Sequence, residues 1–116
     1  MNQERGDFAL KEVEKVKNGK GDSKKYKRNA RRLPALITTN GLLATLAFLK
    51  SKDETKPVYE SVDRWLKNRG YVGEKEDALE RLLKEDHHKL RLAILEVMAF
   101  ASWLKRIVEI EIEDEE

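Results

Sequence analysis

The amino-acid sequence predicts an all-α fold, a single-domain bundle of five to six helices with short loops. Three observations carry that prediction. Apolar residues recur at three- and four-residue spacing along most of the chain. Clusters of Asn, Gly, Ser and Pro interrupt the spacing at short intervals. The 116 residues, 40% hydrophobic and 40% charged, suffice for one modest core, so residues 1–116 read as one helical domain with an acidic tail over about 109–116.

Each element follows in order. At about 100° per residue, Phe8, Ala9, Leu10, Val13 and Val16 share one side of a first helix, which Asn18 and Gly19 end. "NGKGDS" is the first loop, and Asp22 or Ser23 caps a second helix by accepting from its first-turn amides. Pro34 lacks an N–H and disfavours helical geometry at Leu33, so the chain is expected to kink or break there and a third helix to run over about 34–50. Asn40 and Gly41 within it cost propensity, and Gly41 offers a neighbouring helix a close approach. After "SKDETKP", Pro57 opens a fourth helix, with Val58, Tyr59, Val62, Trp65 and Leu66 opposite Glu60, Asp63, Arg64 and Lys67; Gly70 ends it. Beyond "GYVGEKE", a short helix carries Ala78, Leu79, Leu82 and Leu83 on one side. The last helix begins near Asp86 and is expected at the centre, because eleven of the thirteen residues from Leu92 to Leu104 are apolar. Its end, "VEIEIEDEE", alternates with period two, which suits a strand or an extended tail as well as a helix.

The net charge of +2 conceals an uneven distribution. Residues 15–32 hold nine Lys or Arg against the single Asp22, whereas residues 109–116 hold six acids and no base. Cysteine is absent, which removes disulfides, thiolate metal sites and cysteine nucleophiles and fits a cytoplasmic location. The opening segment is too charged for a signal peptide, and the apolar stretch from Leu33 to Leu49 is too short and too interrupted to span a bilayer, so no membrane partner is expected.

Catalytic signatures are missing. "EDHHK" holds the only two histidines, but His87 and His88 would point about 100° apart on a helix and could not grip one ion together. Capping by Asp86 beside solvated histidines accounts for that cluster. Neither a phosphate-loop glycine pattern nor a nucleophile-elbow pattern occurs. The expectation is a protein without catalytic residues, cofactor or metal.

The basic stretch has a definite geometry. On a helix over 23–33, Lys24, Lys25, Lys27, Arg28, Arg31 and Arg32 fall within an arc of about 160°, with Tyr26, Ala30 and Leu33 opposite. This predicts an amphipathic helix whose apolar edge anchors it and whose basic face points outward. Six like charges on one face repel one another, and a nucleic-acid backbone would relieve that repulsion while releasing its own counterions. The alternative is a protein-interaction scaffold whose basic face docks an acidic partner. Tyr26, Tyr59, Trp65 and Trp103 lie on apolar faces and read as core residues, leaving Tyr71 as the aromatic available for a contact.

"YKRNARRLPALITTNGLLATLAFLKSK", "VYESVDRWL" and "ILEVMAFASWLKRIVE" together resemble, in order, the small all-helical subunit of the type III-B CRISPR effector, the Cmr complex. The resemblance implies a non-catalytic, cytoplasmic subunit of an RNA-guided RNA-silencing complex. Its implied partners are the other Cmr effector subunits, copies of itself stacked in a filament, and guide and target RNA. It maps the family's RNA-facing surface onto Lys24, Lys25, Lys27, Arg28, Arg31 and Arg32, with Lys105 and Arg106 as further candidates. Glu109 to Glu116 matches no motif of that family, and an acidic segment there would contact the basic face of a neighbouring subunit or shield it from RNA.

Overall fold

A computed structural model describes residues 2–114, and all regular elements among them are helical: α1 (Asn2–Asn18), α2 (Ser23–Asn40), α3 (Leu42–Lys50), α4 (Lys56–Asn68), α5 (Ala78–Leu83) and α6 (His87–Glu111). Short polar side chains start three of them. Asp22 accepts from the amides of Lys24 and Lys25, Asp77 from that of Glu80, and Asp86 from that of Lys89, each satisfying donors that a helix leaves open at its first turn. Pro57 sits in the first turn of α4, where its missing N–H removes nothing.

Helix α6 is the axis of the bundle, and α1 and α2 both lie along it. Arg5 meets Glu96 and Lys17 meets Glu111, so α1 runs parallel to α6. Lys27 reaches Ile112 and Arg31 reaches back to Glu109, so α2 runs antiparallel. The pairs Arg64–Glu12 and Arg69–Glu4 set α4 antiparallel to α1. Phe8, Trp65 and Phe100, one from each of α1, α4 and α6, meet in the core: Trp65 stacks on Phe100 at 5.3 Å between ring centroids, and Phe8 lies 5.0 Å from Trp65.

Two buried polar systems tie these helices together. In the first, Glu96 receives Arg5 at 2.7 and 3.1 Å and the Trp65 indole N–H at 3.0 Å. In the second, the side chain of Glu12 is 2% exposed and receives Arg64 through both oxygens as well as the Ser61 hydroxyl at 2.8 Å. A carboxylate only accepts, so Ser61 spends its hydrogen on Glu12, and the Tyr26 hydroxyl donates to Ser61 at 2.7 Å.

The Arg5 guanidinium holds the Glu96 carboxyl below the usual range against the opposing effect of burial, with help from the Trp65 N–H. A folded value below the unfolded one means that this contribution is complete above the ordinary Glu value near about 4.3 and is lost as pH falls through the folded value. The melting midpoint of the native chain should therefore drop on acidification below about pH 4.5 more steeply than that of Glu96→Gln. Parallel midpoint curves for the two proteins would contradict this assignment.

The structure corrects four expectations. Helix α2 does not break at Pro34 but runs on to Asn40. Loss of one backbone bond and the ring clash cost about 3 kcal/mol. That cost is offset because Tyr26, Ala30, Leu33 and Ile37 form one buried face that continues across the proline. The break falls at Gly41, whose φ of 84° and ψ of 160° occupy a region essentially reserved for glycine. A Cβ there would meet nothing within 4 Å, so the glycine serves conformation, not close approach of a neighbour. Leu83 does not share the buried side of α5 but is 62% exposed. Lys27, expected on the outward face, is buried.

The ambiguous "VEIEIEDEE" segment resolves as helix through Glu111 and extended backbone at Ile112. Helical spacing turns Val108 and Ile112 inward and leaves Ile110 exposed, whereas a strand would have placed all three on one side. Glu115 and Glu116 of the acidic tail lie outside the described residues.

Candidate nucleic-acid interface

The amino-terminal half of α2 is amphipathic, and its two edges meet different neighbours. Tyr26, Ala30 and Leu33 face the core. On one edge Asn29 is buried and donates to the Glu54 carbonyl in the loop after α3. On the other, Lys27 lies about 60° around the helix from Ala30 and faces the end of α6, where its ammonium donates to the Ile112 carbonyl and sits 2.9 Å from Asp114. A cation at the negative end of a helix is favourably placed, which is how a lysine comes to be buried in this corner. Its neighbour Arg31 contacts Asp114 at 3.0 Å and Glu109 at 4.0 Å.

Between α2 and α6 opens a cleft of about 620 Å³, lined by Lys24, Lys27, Arg28, Arg31, Arg32, Lys105, Glu109 and Asp114. It gathers five of the six α2 cations with Lys105. Lys25 stands about 100° from Lys24 on the edge turned away from α6, and although exposed it does not line the cleft. Arg106 is displaced too: it borders a separate hollow with Asn2, Ala99, Ser102 and Trp103. Arg28 faces Glu54 at 3.8 Å. Lys24, Arg32 and Lys105 form no ion pair among the described residues and present their charge to solvent.

Sequence reasoning set the acidic segment against the basic face of a neighbouring subunit and missed that the chain's own Glu109 and Asp114 line the cleft. Glu109 stands one helical turn beyond Lys105 on α6, a spacing readable in the sequence, but the inward turn of the chain at Ile112 that brings Asp114 to Lys27 was not. The Lys27 ammonium keeps Asp114 below the usual carboxylate range, and Arg31 adds to the effect. Among the candidate aromatics, Tyr26, Tyr59 and Trp65 are buried, and Trp103 is half-buried against Gly6. Tyr71 packs partly against the core rather than standing free. His87 and His88 are exposed, and no group of three His, Asp or Glu among the described residues could hold a metal ion. No helix among the described residues is long and apolar enough to cross a membrane.

The cleft is thus furnished for anions. Guanidinium and ammonium groups offer charge-assisted hydrogen bonds suited to phosphate oxygens, and among the described residues its lining holds no hydroxyl, thiol or imidazole. Its aromatic-poor walls suit a sugar-phosphate backbone better than stacked bases.

A family model described as CRISPR-associated protein (Cas_Cmr5) matches residues 1–111. The CRISPR system Cmr subunit Cmr5 of Thermotoga maritima is 32% identical over 115 residues, which cover 94% of this chain and 82% of that protein. The crystal structure of a CRISPR-associated Cmr5 family protein from Thermus thermophilus aligns with a TM-score of 0.81 at 26% identity, covering 97% of this chain and 96% of that one.

Proposed function

This chain belongs to the CRISPR-associated Cmr5 family, and from that premise we propose that it is a non-catalytic, cytoplasmic structural subunit of the Cmr RNA-targeting complex that holds RNA by its backbone in the α2–α6 cleft. The observation that carries the reading is the gathering of Lys24, Arg28, Arg32 and Lys105 in one solvent-open cleft between two rigid helices. Sequence selection falls to guide pairing, so a subunit that reads only phosphates is sufficient. Docking to further Cmr subunits and to copies of itself is supported by a second feature. Leu92, Leu95 and Ile110 are exposed on α6 within an arc of about 60°, outside the cleft lining. Leu92 and Leu95, one turn apart, with Ile110 about 22 Å further along the same side, offer apolar contacts to an association surface.

The test is reconstitution of a Cmr effector with the native subunit or with Lys24, Arg28, Arg32 and Lys105, all in the cleft lining, changed to Glu. Lys27 and Arg31 are left intact because they hold the end of α6. Incorporation should be normal, and target-RNA affinity should fall by roughly two to three orders of magnitude at about 0.1 M salt. If the four side chains contact four phosphates, the slope of log K against log salt becomes shallower by about three. Loss of incorporation with RNA affinity unaltered would favour the scaffold reading, in which the basic face docks an acidic protein; the seating of Asp114 and Glu109 in this cleft is the observation on its side.

A further inference from the structure

The cleft already contains anions, and they belong to the chain itself. At Ile112 the backbone leaves the helix with φ of −122° and ψ of 133°, the side chain is 6% exposed, and the amide still caps the Val108 carbonyl. That anchor delivers Asp114 to Lys27 at 2.9 Å and Arg31 at 3.0 Å, while Glu109 approaches Arg31 from the helix at 4.0 Å. Anchor and ligand differ in burial: Ile112 is packed into the core, but the Asp114 side chain is 71% exposed. An incoming polyanion can therefore exchange with the carboxylates without unpacking the anchor.

We propose that Glu109 and Asp114 are a built-in competitor for the α2–α6 cleft, an internal stand-in for phosphate that a single-stranded RNA must displace from Arg31 and Lys27. This rests on the reading of the cleft as an RNA interface and adds to it a limit on affinity. Exposed ion pairs are weak singly, so the tail does not close the cleft. It raises the threshold, so that RNA held only by this subunit is released while RNA held along several subunits at once retains enough contacts to stay bound.

The experiment uses the full chain and polyuridylate, with binding followed by fluorescence anisotropy across a salt series. Glu109→Gln with Asp114→Asn should bind roughly fivefold more tightly than native, with a salt slope steeper by about 0.7 to 1.4 as one or two further phosphates gain a cation. Adding Lys24→Glu and Arg32→Glu to that background should remove the gain, and Asp114→Glu, which keeps a carboxylate, should bind as native does. Thermal melts of each variant establish that the comparison is between folded proteins. Equal affinity and slope for native and Glu109→Gln/Asp114→Asn would overturn the competitor while leaving the RNA interface standing, provided that Lys24→Glu/Arg32→Glu still weakens binding. Binding indifferent to Lys24→Glu/Arg32→Glu in either background, or absent from both native and carboxylate-free chains at low salt, would overturn both.

Discussion

Trp65→Ala should destabilise the folded chain by about 4 kcal/mol, measured by urea denaturation followed by circular dichroism. Trp65 is 1% exposed and stacks on Phe100 with its ring planes 13° apart, and Phe8 packs against both rings. Truncation opens a cavity where α1, α4 and α6 meet and withdraws the indole N–H from Glu96. Domains of this size are typically stable by about 5–15 kcal/mol, so the variant would sit close to unfolding. Trp65→Phe separates the two contributions. It keeps an aromatic ring against Phe100 but loses the N–H and part of the indole's volume, and should cost about 2 kcal/mol, less than the alanine change. A loss below about 1.5 kcal/mol for Trp65→Ala would mean that the helices collapse readily into the space, contrary to the packing described.

Arg64→Ala should cost about 3 kcal/mol, far above the few tenths expected for a residue whose side chain is 46% exposed. The reason lies at the other end of the pair, because Glu12 is buried and keeps only Ser61 and a 3.6 Å contact with the exposed Lys15 once the guanidinium is gone. Removing one member of a buried pair strands the other's charge. Adding Glu12→Gln should recover part of the loss, so the double variant is more stable than the sum of the single changes implies. Additive losses would show that Glu12 finds solvent as readily as Arg64 does.

The helices were legible where local chemistry and tertiary packing agree. The aspartate cap at Asp86, the Pro57 start and the Val58–Tyr59–Val62–Trp65–Leu66 face all occur where spacing places them. Pro34 was misleading because its local penalty competes with a buried face that the sequence displays only if the helix is already assumed to continue. Gly41 was recognisable as a glycine but not as the left-handed residue separating α2 from α3. The basic arc was correctly located on α2, but α6 takes up one edge of that arc. Lys27 was therefore misread, since burial of a lysine depends on a carbonyl and a carboxylate more than eighty positions away. Glu12 and Glu96 carry no local sign of burial for the same reason, since Arg64 and Arg5 lie 52 and 91 positions away.

The antiparallel seating of α2 on α6 also bears on the order in which the molecule comes into being. Lys27 and Ile112 are separated by 85 positions, Arg5 and Glu96 by 91, and Lys17 and Glu111 by 94. During synthesis the first two helices must wait for their α6 partners, encoded near the far end of the message, and until then the basic helix has only α1, α3 and α4 to pack against. Contacts this distant in sequence close late. The basic cleft is therefore assembled last, and a nascent chain acquires its shaped walls only once the residues around 112 have left the ribosome.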